Sequence, residues 1–236
     1  MPVITFFQTK GGTGKTTSAF VLAEILSKSA SVTVVDADAN HPFAEWKKDG
    51  GAGESFKIVT EPDEEKLPVA IGKANEETAF VIVDTEGSAN TTAARAAAMS
   101  DLVIVTSTGT PLDQKHAAKA IKFVAKTGKT AGRTIPVSVL MTRQKAVGVS
   151  RTVKKAIETM RKHGVHVLDC ELIERDAFGA LFGYATLLFN LNHEEVSGVT
   201  KAYMNARVYV NHVLKRLKDN QEEESKPKDT KQEEAA

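Results

Sequence analysis

The sequence has little cysteine, no long apolar run and almost no net charge. Cys170 is the only cysteine among 236 residues, which excludes an intramolecular disulfide, a four-cysteine zinc site and an iron–sulfur cluster ligated by one chain. No apolar stretch approaches the roughly 18 residues that span a bilayer. A reduced, cytoplasmic, soluble protein is therefore expected. The formal net charge of +1 means that any affinity for DNA must come from a local basic surface.

What the chain does contain is an alternation of short apolar runs with longer helical patterns. The clearest strand candidates are residues 3–7, 31–35, 80–83, 102–105 and 135–141. This alternation predicts an α/β fold, with a mainly parallel twisted sheet flanked by helices on both faces. Residues 47–66, rich in glycine, are expected to be irregular.

The two ends of the chain differ in character. Near the N-terminus, Val21, Leu22, Ile25 and Leu26 repeat at helical spacing and are expected to face the sheet. A last helix over 197–217 carries an apolar stripe, which predicts that it packs on the core. Residues 218–236 have no large apolar side chain, so a polar, disordered tail is expected there. One domain over residues 1–217 follows.

The most informative motif lies between the first strand and the first helix. It reads Thr9, Lys10, Gly11, Gly12, Thr13, Gly14, Lys15, Thr16 and Thr17. Small residues let the backbone N–H groups surround a polyphosphate at the positive end of a helix that begins within 14–17. Lys15 would reach the β- and γ-phosphates, and the Thr16 hydroxyl would ligate Mg²⁺. The usual phosphate-loop pattern needs glycine where this chain has Thr9, and a glycine-rich turn with solvated lysines is the alternative.

With its second lysine ahead of two glycines, the loop resembles that of the ParA/MinD family of P-loop ATPases, and the resemblance covers most of residues 1–217. It implies an ATPase with Mg²⁺ as cofactor, working as a homodimer with two ATP molecules sandwiched between subunits. The lysine matching Lys10 reaches the nucleotide of the partner subunit in that family. The resemblance therefore implies a catalytic role in trans for Lys10 and places Gly11 to Thr17 around the nucleotide.

Two further motifs supply carboxylates at strand ends. Asp36 and Asp38 follow the second strand, and the resemblance implies that Asp36 holds Mg²⁺ through water while Asp38 orients the attacking water. The family usually continues with Pro-Gln, but this chain has Ala39-Asn40. Capping of a strand end or a surface turn is the alternative role for these aspartates.

A third apolar strand, over 80–83, closes on Asp84 and has the form of a Walker B segment. The resemblance makes Asp84 a second Mg²⁺ residue and gives the Gly87 N–H a contact with the γ-phosphate. Arg143 follows a later strand where the family often contacts adenine, and a solvent-facing or DNA-facing arginine is the alternative. Residues 174–178 fall where relatives close over the base.

The candidate DNA surface is a basic segment over residues 143–162. Its members proposed to contact DNA are Arg151, Lys154, Lys155, Arg161 and Lys162. Phosphate contacts of this kind would bind duplex without reading sequence, and a solvated helix face is the alternative. Basic residues of the final helix are expected to add to the same surface. Few aromatic residues lie among them, so stacking on single strands is not expected.

The sequence therefore predicts a slow ATPase for plasmid or chromosome partition, associated with the nucleoid. It would bind DNA non-specifically in its ATP state and be stimulated by a centromere-binding adaptor. The chain opens at the phosphate-loop strand, so no operator-reading extension is expected, and no apolar face for a membrane is seen in the tail. The alternatives are a ParA-like accessory factor of conjugative DNA transfer that recruits a relaxosome, and a non-hydrolysing scaffold switched by ATP.

Overall fold

The computed structural model describes residues 1–51 and 55–225, and its centre is a sheet of seven parallel strands. The strands are β1 (Val3–Phe7), β2 (Val32–Ala37), β3 (Lys57–Thr60), β4 (Phe80–Thr85), β5 (Leu102–Ser107), β6 (Val137–Gln144) and β7 (Val167–Ile173). Their order across the sheet is β3-β2-β4-β1-β5-β6-β7, and every pair is parallel. Parallel strands need covered faces, which explains why the interior strands consist of apolar runs.

Eight α-helices of the described residues cover the two faces of the sheet. They are α1 (Lys15–Leu26), α2 (Pro42–Lys48), α3 (Leu67–Glu77), α4 (Thr91–Ala98), α5 (Pro111–Thr130), α6 (Arg151–Lys162), α7 (Asp176–Gly183) and α8 (Val199–Glu224). Side chains alternate along a strand. Accordingly, Ile4 and Phe6 of β1 join the core beneath α1, α2, α7 and α8. Val3 and Phe7 point to the other face, where α3, α4, α5 and α6 pack. The predicted architecture is confirmed.

Both edge strands escaped the sequence prediction. The stretch over 47–66 was expected to be irregular, but it contains β3 and the end of α2; residues 52–54 of that stretch lie outside the described residues. β3 has only four residues, and its two ends are exposed. In β7, Asp169 is exposed and interrupts the apolar pattern. Edge strands bury less than central ones, so their sequences lack the continuous apolar run that identifies the interior strands.

The helix α1 is buried more completely than its sequence stripe predicts. Ala19, Phe20 and Ala23 are as fully buried as Val21 and Leu22, because α8 packs across the side of α1 that faces away from the sheet. The Tyr209 hydroxyl of α8 donates a hydrogen bond of 3.3 Å to the Ser18 carbonyl of α1. The prediction that α1 turns an apolar side to the sheet is right. The opposite side of α1 is also apolar, because α8 packs on it.

The final helix is longer than predicted. The apolar stripe on α8 is buried as expected, but the helix continues to Glu224 instead of ending at Leu217. Asn220 is buried against the sheet, where its amide lies 3.5 Å from the Asp101 carbonyl. The Lys218–Glu222 pair, at 3.7 Å, further supports the last turns. The expected disordered tail is therefore wrong for residues 218–224, and residues 226–236 lie outside the described part of the chain.

α8 packs on the face of the sheet opposite α6. Burial lowers the pKa of His166, and both Arg216 of α8 and Arg161 of α6 lie close enough to lower it further. The expected contribution of the final helix to the basic surface therefore stays a prediction. None of the helices that the structure describes combines the length and the apolar character required to cross a membrane.

Candidate nucleotide site at the carboxyl edge of the sheet

The predicted phosphate loop connects β1 to α1 at the carboxyl edge of the sheet. The helix begins at Lys15, inside the predicted window, with Gly14 as its N-cap. Gly12 and Gly14 have φ angles of 76° and 88°, a region that side chains strain to adopt. A Cβ at Gly11 or Gly12 would meet no atom within 4 Å, so the loop is open at these two positions. The backbone therefore forms a cradle at a helix N-terminus, as expected for an anion site.

Side chains from neighbouring strands fix this loop. Gln8 is fully buried and donates from its amide to the Thr106 carbonyl at 2.6 Å, while its oxygen accepts from Thr9 N at 2.7 Å. The Thr13 and Thr106 hydroxyls share a hydrogen bond of 2.8 Å, and the Thr142 hydroxyl donates to the Thr13 carbonyl at 2.7 Å. The loop is thus held in its shape by β1, β5 and β6.

The two loop lysines have different surroundings. Lys15 is only 6% exposed and makes no ion pair among the described residues. The side chain of Lys10 is 38% exposed, and its ammonium lies 2.7 Å from a carboxylate oxygen of Asp113 on α5. Burial raises the pKa of Asp113, but hydrogen bonds from Lys10 and Thr108 outweigh it, so the pKa lies below its usual range. Lys10 is therefore bound within its own chain.

Asp36 and Asp84, on adjacent strands, lie side by side in register, as the strand-end pattern predicted. Asp84 is fully buried, and neither of its carboxylate oxygens has a hydrogen-bond partner in the part of the chain that the structure describes. Burial raises its pKa to about 7; the nearby Thr16 hydroxyl and Lys15 ammonium oppose this rise, and Asp36 and Asp38 add to it. A buried carboxylate without partners is costly, and a cation beside it would remove the cost.

Asp36 is buried too, but its oxygens have partners. One oxygen accepts from the backbone N–H groups of Phe43 and Ala44 at 3.0 and 3.3 Å, at the start of α2. Burial raises the pKa of Asp36, and these N–H groups oppose the rise. Asp36 is therefore an acceptor for N–H groups at the start of α2, a role that differs from the strand-end cap or surface turn that the sequence had left open.

Asn40, which departs from the family's usual Pro-Gln, holds the side chain of Asp38. One of its oxygens accepts from both the backbone and the side-chain N–H of Asn40, each at 2.9 Å. On the other side of the loop, a Cβ at Gly87 would come within 3.1 Å of Gly11 N, so a side chain there would push the segment after β4 away from the loop. Asp38 and Gly87 are both placed at the cradle's edge of the sheet.

A cleft of about 370 Å³ extends from the cradle towards α7. It is lined by Gly14, Thr17, Arg143, Arg175, Phe178 and Phe182, among others. Arg143 has a left-handed φ of 53°, which turns the chain at the end of β6. The structure thus brings Arg143 together with residues 174–178, two regions that the sequence had singled out separately.

Several contacts that shape the site escaped the sequence analysis. Asp113, Gln8 and Thr106 contact the motif residues, but only Gln8 is adjacent to a motif, and Asn40 was noted only as a departure from the family pattern. The available sequence signal for Gln8 was a polar residue at the end of an apolar strand, directly before the loop. Cys170 is buried, and burial raises the pKa of its thiol to about 12.

The cradle and Asp84 fit a triphosphate with a divalent cation. Within residues 1–51 and 55–225, no three histidine, cysteine or acidic side chains come together as a metal site. A cation here would therefore take most of its ligands from phosphate, water and hydroxyl oxygens, the donors that Mg²⁺ prefers. The orphaned oxygens of Asp84 provide the complementary negative charge.

The predicted DNA-contacting residues are all on α6 and exposed. Arg161 is bound to the side chain of Asp169 at 2.5 Å, which neutralises its charge. Arg151 and Lys155 line a second cleft between α6 and the start of α5.

Solved structures share this fold. A McdA variant from Cyanothece in complex with ATP aligns with a TM-score of 0.72 and 16% identity, over 90% of this chain and 96% of that one. The MinD protein of Pyrococcus horikoshii in complex with Mg-ADP aligns with a TM-score of 0.67 and 17% identity, over 93% of this chain and 98% of that one. The predicted resemblance to ParA/MinD P-loop ATPases is confirmed at the level of the fold.

Sequence comparisons specify the relationship. Protein ParA of Rhizobium radiobacter is 28% identical over 218 residues, covering 92% of this chain and 98% of the relative. Protein virC1 of Rhizobium rhizogenes is 31% identical over 187 residues, covering 77% and 80%. The family model for the VirC1 protein matches residues 1–221. On this evidence, the chain is ParA-like and belongs to the VirC1 family.

Proposed function

We propose that this protein is an ATPase that binds ATP in the loop between β1 and α1, dimerises around it and acts in DNA partition. The observation that carries the proposal is the buried, unpartnered carboxylate of Asp84 beside an open phosphate cradle. A folded chain rarely leaves a charge of this kind without compensation unless a ligand supplies it. Mg²⁺ with ATP is the ligand that suits both groups.

The residues around the cradle have different roles in phosphoryl transfer. Backbone N–H groups of Gly11 to Thr17 hold the phosphates, and Lys15, with no competing ion pair, is available for the β- and γ-phosphates. Asp38, fixed by Asn40, orients the attacking water. Positioning and charge neutralisation dominate this reaction, so a rigid loop and a fixed carboxylate suit it.

Asp84 and the Thr16 hydroxyl are the residues that would hold Mg²⁺. The ion supplies charge neutralisation on the transferring phosphate. One oxygen of Asp36 accepts from the start of α2, and the other, which accepts from Asp38 N at 3.4 Å, would hold the metal through water. Gly87 lies against the loop, which suits the N–H contact with the γ-phosphate. Arg143 lies along the cleft towards α7, which suits a position beside the base.

Lys10 acts across the dimer in this proposal. Its ammonium is bound to Asp113 in the single chain, so reaching the partner subunit's nucleotide requires that this ion pair be exchanged for phosphate. Two charges of the triphosphate are a stronger attraction than one carboxylate, which makes the exchange depend on bound ATP. Dimerisation would then be coupled to nucleotide binding.

In its dimeric state the protein would bind DNA non-specifically on the nucleoid, and a centromere-binding adaptor would stimulate hydrolysis. The exposed basic residues of α6, other than the paired Arg161, support a phosphate-contacting surface. Similarity to ParA over almost the whole relative supports the partition role.

The match to the VirC1 family favours a second candidate, a ParA-like accessory factor of conjugative DNA transfer. Both candidates use the same ATP switch and differ in what the dimer recruits. A pull-down in the presence of Mg²⁺ and ATP distinguishes them, since a small DNA-binding adaptor indicates partition and a relaxase indicates transfer.

The test of the proposal combines turnover with oligomeric state. Lys15→Ala is expected to lower ATP turnover by about 10²- to 10³-fold, the range seen when one transition-state donor is removed. Lys10→Ala is expected to bind ATP but to remain a monomer in gel filtration with ATP. Lys73→Ala removes an exposed lysine on α3 and serves as the matched control, with wild-type behaviour.

Two results would contradict the proposal. Unchanged turnover in Lys15→Ala would remove the phosphate role of the loop. ATP-dependent dimers without any turnover in the wild-type protein would instead identify an ATP-switched scaffold.

A further inference from the structure

A row of lysines runs along the exposed side of α5. Its members, which we call the α5 lysine row, are Lys115, Lys119, Lys122, Lys126 and Lys129, and all five are exposed. They are separated by alternating steps of four and three residues. At 3.6 residues per turn, such steps keep side chains on one side of a helix. The row extends over about 21 Å, at 1.5 Å per residue.

The row lies opposite the side of α5 that packs on the sheet. The buried residues of the helix are Asp113, Ala117, Ala120, Val124 and Gly128, and the first four precede the first four lysines of the row by two residues each. Two residues correspond to about 200° around the helix axis. The lysines therefore point away from the protein, on a helix in the middle of the layer formed by α3, α4, α5 and α6.

The charge of the row is not neutralised by neighbours. Asp113 is the only acidic residue on α5, and it is buried and bound to Lys10. Across the described residues, none of the five lysines makes an ion pair, whereas Lys48, Lys57 and Lys218 on other elements each pair with a glutamate. With a net charge of only +1 for the whole chain, this concentration means that basic and acidic residues are segregated.

The row continues onto α6. Gln114 at the start of α5 lines the same cleft as Arg151 and Lys155 of α6. These two cations therefore flank the N-terminal end of the row and widen the basic surface. α6 alone offers fewer free cations, since Arg161 is bound to Asp169.

We infer that the α5 lysine row is the main surface on which this protein binds the phosphate backbone of duplex DNA. Duplex phosphates follow each other at about 3.4 Å of axial rise per strand, so about six of them face a row of this length. Lysine is a flexible point charge suited to phosphate and unable to read a base by fork geometry. Single strands and membranes are poorer partners, because Leu112 at the start of α5 is the one large apolar side chain exposed on this helix and no aromatic side chain is.

This inference rests on the proposed function in one respect, namely that the protein's partner is DNA. A dimer would present two copies of the row and so strengthen binding, but the row itself exists in the single chain.

The test measures binding of the full-length protein to a short duplex of arbitrary sequence across a salt series, with and without Mg²⁺ and ATP. The triple variant Lys119→Gln, Lys122→Gln, Lys126→Gln is expected to weaken binding at least about tenfold and to reduce the slope of log K against log salt by about 2 to 3. The control triple, Lys201→Gln, Lys215→Gln, Lys218→Gln, removes the same charge from α8 on the opposite face. It is expected to bind within about twofold of wild type, because lysines outside the contact leave the phosphate-dependent salt term unchanged. Circular dichroism and thermal unfolding check that both triples fold.

Each remaining outcome decides the inference. Wild-type binding by the row triple overturns it, and a loss confined to an Arg151→Gln, Lys154→Gln, Lys155→Gln triple would assign the surface to α6. A wild-type protein that binds anionic phospholipid vesicles or an acidic protein but no duplex also overturns it. ATP turnover and dimerisation are measured in the same samples. Duplex binding through the row without either activity would contradict the proposed ATPase and leave the row in place.

Discussion

β2 and β4 each carry a buried aspartate near their carboxyl ends, and the two carboxylates differ in their hydrogen bonds. Asp36 and Asp84 are neighbours in register, and both are completely buried. Asp36 accepts hydrogen bonds from the start of α2, whereas Asp84 has no partner at either oxygen. Burial raises the pKa of both carboxyls. Backbone N–H groups oppose that rise at Asp36. At Asp84 the Thr16 hydroxyl and the Lys15 ammonium oppose it, and Asp36 and Asp38 add to it.

Asp36 is therefore a carboxylate that stabilises the fold, whereas Asp84 is the carboxylate for which we propose a metal ion. A satisfied buried carboxylate contributes to folding through its hydrogen bonds. An unsatisfied one destabilises the empty protein and gains when a cation arrives. Sequence motifs grouped the two aspartates as one metal set, and the structure shows that their hydrogen bonds differ.

The largest expected effect is a difference in pH dependence between wild type and Asp84→Asn. In the unfolded chain the carboxyl titrates near 3.8, and in the folded protein near 7. Between these values the unfolded state loses the proton first, so rising pH favours unfolding. Without nucleotide, the stability of wild type relative to Asp84→Asn should fall by up to roughly 4 kcal/mol from pH 4 to pH 7, and urea unfolding measures it.

Asp36→Asn provides the matched comparison. It replaces an acceptor of backbone N–H groups, so the free energy of unfolding should fall by about 1–3 kcal/mol at neutral pH. If Asp36→Asn and Asp84→Asn had the same effect on stability, the distinction between the two strand ends would be lost.

The second prediction concerns ligand stabilisation. Mg²⁺ with ATP at about 100 times its dissociation constant should raise the free energy of unfolding of wild type by about 2.7 kcal/mol. Thermal unfolding with ATP and either Mg²⁺ or EDTA measures the share that depends on the metal. That share should vanish in Asp84→Asn and survive in Lys73→Ala; an equal gain with EDTA in wild type would contradict a metal beside Asp84.

A smaller effect is expected from releasing Lys10. Asp113→Asn keeps the shape of the side chain but removes the charge that binds the Lys10 ammonium. Removing a partly exposed ion pair of about 1 kcal/mol should increase ATP-dependent dimerisation several-fold, which analytical ultracentrifugation measures. Lys10→Ala combined with Asp113→Asn should restore the monomer. Weaker dimerisation in Asp113→Asn alone would mean that the pair supports the active state.

The smallest effect is expected at Asn40. Asn40→Ala removes the side-chain hydrogen bond to Asp38 and leaves the backbone one. ATP turnover should fall by about three- to tenfold, the consequence of losing roughly 1 kcal/mol of positioning, with ATP affinity unchanged. A change in ATP affinity with constant turnover would place Asp38 in binding rather than in catalysis.

The local parts of the site could be predicted from the sequence. The cradle, the first residue of α1 and the position of Asp84 depend on neighbouring residues and on the rule that parallel strands end at one edge. The contact of Lys10 with Asp113 joins residues 103 positions apart, and no local pattern specifies it. The capping role of Asp36 depends on where α2 begins, which the sequence did not indicate.

The basic surface shows a different limit of prediction from the sequence. Density of charge along the sequence selects residues 143–162, where lysines and arginines follow one another closely. The α5 lysine row is spread over more residues and becomes apparent only when its spacing is matched to the helix and to the buried side of α5. Its spacing was readable in the sequence, but its exposure was not.

The central claim is that Mg²⁺ and ATP occupy the cradle between β1 and α1, next to Asp84. A crystal structure of the protein grown with Mg²⁺ and a non-hydrolysable ATP analogue tests it most directly. The account predicts the phosphates within hydrogen-bond distance of the Lys15 ammonium and the metal on the side of the loop that faces Asp84. Nucleotide bound elsewhere, or an Asp84 carboxylate still without any partner, would contradict it.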